Sequence, residues 1–86
     1  MNYKVAWALG EIGGHAAVQG LVQALHDPNS DVRVIAIQSL QQLDARETLP
    51  ELRPLLKDDE RSHFGQLISV SEAAHSAITA LERPPK

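Results

Sequence analysis

The feature that most limits what this chain can fold into is an internal echo. Shifted by 31 residues, Val5 falls on Ala36, Leu9 on Leu40, Ile12 on Leu43, Val18 on Leu49, Leu21 on Leu52 and Leu25 on Leu56, and Asp27 lands on Asp58. A shift of 38 places Val32 on Val70, Ala36 on Ala74, Ser39 on Ala77, Leu40 on Ile78 and Leu43 on Leu81. Self-similarity at such periods marks stacked units, each too small to bury its own apolar face. The seven-residue difference between the shifts places an insertion before the last unit, at 58–69.

Within each unit the apolar spacing is helical. Val32, Ile35, Ala36, Ser39, Leu40 and Leu43 fall at the i, i+3, i+4, i+7 positions of one face. Asn29 or Ser30 caps that helix, Asp31 sits at its positive end, and Pro28 ends the segment before it. A second helix is expected from a capping box at Thr48-Leu49-Pro50-Glu51, with Leu49, Leu52, Leu55 and Leu56 inward and a slight bend at Pro54. The first unit repeats this grammar, with helices from about Asn2 to Ile12 and Ala16 to His26. The last supplies one helix behind a second capping-box candidate, Ser69-Val70-Ser71-Glu72. The expectation is an all-α superhelix of five helices in one domain, with units at about 1–27, 28–58 and 59–83 and a polar tail at 84–86.

The stretches "VAWALGEIGGHAAVQGLVQALHD" and "SDVRVIAIQSLQQLDARETLPELRPLLKD" resemble HEAT repeats, specifically the phycobilisome-lyase type. The resemblance covers roughly Val5–Leu81 apart from the insertion and implies an α-solenoid. It also implies that Asp31 and Arg33 tie neighbouring units together. Only the middle unit keeps both residues: Met1 and Asn2 stand where the first unit would carry Val-Arg, and Ser71 replaces the arginine in the last.

Composition narrows function by exclusion. The chain has 86 residues, a formal charge of −3, no cysteine and three aromatics, Tyr3, Trp7 and Phe64. There is no basic stripe to neutralise phosphates and no aromatic platform for single strands, so nucleic acid is disfavoured as a partner. No window approaches the ~18 apolar residues of a membrane span, and no signal-peptide pattern is visible. A cytoplasmic address is the default expectation.

Gly10, Gly13 and Gly14 follow an apolar run, yet no strand precedes them and no Lys-Ser/Thr follows, so they read as a helix closure instead of a phosphate loop. The histidines His15, His26, His63 and His75 form no repeated His-Glu pairs, so no metal is expected. The serines at caps have no adjacent base, so no catalytic residue or cofactor is expected.

Three surfaces remain as candidates for binding another protein. The insertion presents Arg61, His63 and Phe64, read either as a recognition loop or as an end cap built from Phe64 or Leu67. The inner face of the second helices is expected to carry Gln19, Gln23, Arg46, Arg53 and Lys57. Trp7 either covers the open end of the stack or buries a contact with another chain; that apolar end points to self-association or to a fragment of a longer array. The leading functional reading is a non-catalytic interaction scaffold. The alternative is an accessory subunit or chaperone of a bilin lyase or phycobilisome system, with a tetrapyrrole or phycobiliprotein against the concave face.

Overall fold

A computed structural model describes residues 2–62 and 68–83. The described residues form five α-helices: α1 (Tyr3–Ile12), α2 (His15–Ala24), α3 (Ser30–Gln42), α4 (Leu49–Leu52) and α5 (Val70–Leu81). Short 3₁₀ turns, Arg46–Thr48 and Arg53–Lys57, flank α4. The first helices of the units, α1, α3 and α5, lie side by side in one layer, and α2 and the α4 region cover it. The helix α3 is sandwiched, with Val32, Val34, Ala36, Ile37 and Leu40 all at most 1% exposed. One continuous apolar core runs from Ala6 through Leu21, Leu25 and Leu40 to Leu81.

Local chemistry sets the helix boundaries. The Asn2 side chain accepts from the Val5 N–H and Asn29 accepts from Asp31, satisfying donors that the first turns of α1 and α3 leave unpaired. Gly13 closes α1 at φ +72, and Asp44, 31 residues later, closes α3 at φ +54. After α3 the Asp44 N–H donates to Gln41 and the Ala45 N–H to Leu40, a Schellman arrangement built on Asp in place of Gly. Aspartate tolerates this left-handed backbone better than most side chains do.

The second unit departs from expectation in its second helix. Thr48 does not cap α4: its backbone is at φ −91, ψ 0 instead of extended, and its hydroxyl donates back to the Ala45 carbonyl at 2.6 Å. Pro54 has no N–H to return to the Pro50 carbonyl, so the segment leaves α geometry at Arg53 and runs on as a 3₁₀ turn. What reads in sequence as a gently bent helix is one α-turn between two 3₁₀ segments.

The middle unit's arginine is the tie between units. Arg33, with its side chain only 8% exposed, places Nη1 2.6 Å from the Asp27 carbonyl at the end of the first unit. Its Nε lies 2.9 Å from Asp58 Oδ2 and its Nη2 2.7 Å from Glu60 Oε1, at the start of the insertion. The Asn29 N–H, reinforced by the Arg33 charge, holds the Asp27 carboxyl below its ordinary pKa.

A close approach between α1 and α3 depends on Gly10. A Cβ there would sit 2.6 Å from Ser39 Oγ and 2.7 Å from Ser39 Cβ, inside van der Waals contact. Gly10→Ala is expected to lower stability by about 1–2 kcal/mol, since the overlap outweighs a helix-propensity gain of about 1 kcal/mol. Gly20→Ala, which meets only the Leu9 Cδ1 methyl at 3.1 Å, is expected to be neutral or stabilising. Arg33→Met is expected to cost about 2–3 kcal/mol by unpairing two carboxylates and a carbonyl, with Arg33→Lys recovering part of the loss. Urea denaturation midpoints of the four variants check all of these outcomes.

Candidate functional site

The second layer leaves a groove between α2 and the α4 region. Val18 and Val22, one turn apart on α2, form its apolar floor, and His15, Gln19 and Gln23 edge one side. Glu47, Thr48 and Glu51 form the facing wall around a volume of ≈ 480 Å³. The ring of His15 lies 3.2 Å from the Gln19 amide across one helical turn. Thr48, the one hydroxyl in the lining, is 2% exposed and bonded to Ala45. The groove therefore offers contact chemistry: an apolar strip, two amides that donate and accept, and two carboxylates. That combination suits a protein segment with an apolar side chain flanked by cations or N–H donors.

The structure separates the residues grouped by sequence for this face. Gln19 and Gln23 line the groove together. Arg46 turns back to Asp44 Oδ1 at 3.2 Å, and Arg53 reaches away to Glu82 Oε2 at 3.3 Å, just beyond α5. Lys57 is exposed at the end of the second 3₁₀ turn. The reason is rotational: a 3₁₀ turn advances about 120° per residue against about 100° in an α-helix, so positions beyond Leu52 leave the face that a regular helix would give them. Glu47 and Glu51 were not legible as site residues because of the 3₁₀ start of this segment, whereas His15, one regular helical turn before Gln19, follows from that spacing. The two glutamates lie 31 residues after Ala16 and Gly20, which do not line the groove, so the repeat register alone does not point to them.

The insertion is held at its base. The Ser62 N–H donates to the Ile68 carbonyl at 2.9 Å, Arg61 and Ser69 form an antiparallel bridge, and Ser30 Oγ donates to the Arg61 carbonyl. The carbonyls of Glu60 and Asp58 accept from Val70 and Ser71, the first two N–H groups of α5. Ser69 and Glu72 complete the account with the reciprocal bonds of a capping box. Arg61 Nη1 lies 3.8 Å from Glu72 Oε1. His63 and Phe64 fall outside the described residues. Trp7 stands on α1 and is 58% exposed, while its chain neighbour Ala6 and Gly10 one turn on are buried.

The Ser69 backbone N–H, then its hydroxyl, hold the Glu72 carboxyl below its ordinary value of 4.5, with Arg61 adding a weaker attraction. Among the described residues no three His, Asp or Glu side chains converge as metal ligands do, and no helix is long and apolar enough to cross a membrane.

Because the folded-state Glu72 pKa is depressed, its stabilisation is present above 4.5 and is lost as pH falls through the lower folded value. Glu72→Gln keeps a side-chain acceptor for the Ser69 N–H without titrating. Thermal melts are expected to show the wild type losing more stability than the variant between about pH 5 and about pH 3.

Comparison with known proteins places this geometry. The family model described as HEAT repeats matches residues 1–68. Over 56 residues, 65% of the chain, it is 47% identical to the phycocyanobilin lyase subunit alpha of a Picosynechococcus species. The chain spans 21% of that relative's length. No solved structure matches.

Proposed function

The chain belongs to the HEAT-repeat family, and from that membership we propose that it works as a non-catalytic module that binds another protein. The observation that supports this reading is the groove of Val18, Val22, Gln19, Gln23, Glu47 and Glu51, whose lining supplies recognition chemistry and whose one hydroxyl is buried and occupied. A scaffold of stacked helices holds such a surface in place without needing the partner to order it.

The identity shared with a phycocyanobilin lyase subunit favours a narrower version. In it the chain is an accessory subunit or chaperone in bilin attachment, and the groove meets a phycobiliprotein. Such a partner would present an apolar side chain to Val18 and Val22 and basic or N–H groups to the two glutamates.

Titration calorimetry with an apo-phycobiliprotein subunit, with and without phycocyanobilin, tests both versions. The expected result is binding that weakens at least tenfold in Glu47→Lys/Glu51→Lys, with no covalent pigment transfer by the chain alone. Transfer of pigment by the isolated chain would overturn the non-catalytic reading, and unchanged binding in the double variant would remove the groove from it. Capture of other proteins with no affinity for phycobiliprotein would leave the scaffold and exclude the bilin role.

A further inference from the structure

The groove between α2 and the α4 region has walls of unlike chemistry that share one spacing. Gln19 and Gln23 stand one turn apart on α2, as do Val18 and Val22 on the floor, and Glu47 and Glu51 are four residues apart on the facing wall. Among the described residues neither glutamate pairs with a cation, and the Gln23 amide has no partner. Gln19 places its amide nitrogen 3.2 Å from the His15 ring, which leaves its carbonyl oxygen and second N–H unused.

We infer that this groove takes a short extended segment of a partner protein in which cations and apolar residues alternate. The inference rests on the reading of the groove as a protein-binding surface and specifies what enters it. Shape favours a strand over a helix. From His15 to Gln23 the groove runs about 12 Å along α2, so its volume of ≈ 480 Å³ corresponds to a cross-section of about 40 Å². A strand within a sheet occupies about 47 Å², from spacings of about 4.7 Å and about 10 Å. A helix with its side chains is about 10–12 Å across and needs about twice that area.

The amides favour the same occupant. A helix spends its backbone N–H and C=O groups on itself, whereas a strand edge presents an N–H and C=O pair every second residue, about 6.6–6.8 Å apart. Glutamines one turn apart start about 5–6 Å apart at Cβ, and their rotatable side chains absorb the difference. Gln19 and Gln23 each meet one such pair, Oε1 accepting and Nε2 donating. With one edge on this row, the side chains of the strand stand perpendicular to the hydrogen bonds and alternate between floor and rim. The inward ones pack on Val18 and Val22. Lysine or arginine at the outward positions lays its apolar stem over the wall and brings its charge to Glu47 and Glu51.

The probe is an end-capped hexapeptide of alternating lysine and valine, titrated into the isotope-labelled 86-residue chain and followed by the side-chain amide resonances of Gln19 and Gln23. The expected result is saturable shifts of both amides, with a dissociation constant between micromolar and millimolar. A block isomer, three lysines followed by three valines, carries the same charge and binds about tenfold more weakly. Gln19→Leu/Gln23→Leu weakens the alternating peptide about tenfold and leaves the block isomer unchanged. Methylating the backbone nitrogens of the valines or of the lysines blocks opposite edges, so one methylated peptide binds like the parent and the other does not. Circular dichroism confirms that the variant folds.

Equal affinity for the alternating and block peptides overturns the proposal, because charge alone then accounts for binding. So do equal losses on methylating either edge, unmoved Gln19 and Gln23 resonances, or full affinity in the glutamine double variant. The phycobiliprotein titration is read separately. Binding of that protein that is lost in Glu47→Lys/Glu51→Lys, together with equal peptide affinities, leaves the groove as a protein-binding surface and removes only the extended segment. Peptide binding as expected with no affinity for phycobiliprotein supports the extended segment and excludes the bilin role.

Discussion

The guanidinium of Arg33 is the point on which the arrangement of units depends. It sits on α3, the helix with neighbours on both sides, and reaches the backbone where the first unit ends and the carboxylates where the insertion begins. A planar group with fixed donors can hold a carbonyl and two carboxylates in one geometry, which a lysine cannot. The same cation lowers the cost of keeping Asp27 ionised beside its own turn. Hydrophobic burial makes the stack favourable, but it is non-directional. The Arg33 contacts fix the positions at which successive units meet.

The arginine occurs once because the units are unequal. Where the last unit would carry its counterpart there is Ser71, whose N–H is instead satisfied by the Asp58 carbonyl. The paired base of the insertion does for α5 what Arg33 does for α3: it joins the start of a first helix to the chain that precedes it. The insertion is therefore part of the fold's connectivity at its base, apart from whatever its tip presents.

Most of the helical layer is legible in the sequence because it depends on periods and caps. The stripes of α3 and α5, the Asn29 cap and the Ser69–Glu72 box follow from residue type and spacing, and the structure reproduces them. The placement of the groove residues is less legible, because it depends on phase. Pro50 and Pro54 signal a disturbed helix, but spacing alone does not reveal that three residues before α4 and five after it adopt 3₁₀ geometry. That change in rotation sends Arg53 to Glu82 and leaves Glu47 and Glu51 facing Gln19 and Gln23. The tight packing of Gly10 on Ser39 is half visible: a glycine inside a helix signals a near neighbour, but only the three-dimensional arrangement names it.

The two prolines have a mechanical consequence. A solenoid under bending behaves as a spring whose coils share the strain according to their stiffness, and a coil with few i→i−4 bonds yields first. Here the compliant coil is the stretch from Arg46 to Lys57, while the layer of α1, α3 and α5 is built of longer, unbroken helices. Flexing the molecule therefore changes the width between α2 and the Glu47–Glu51 wall before it disturbs the core.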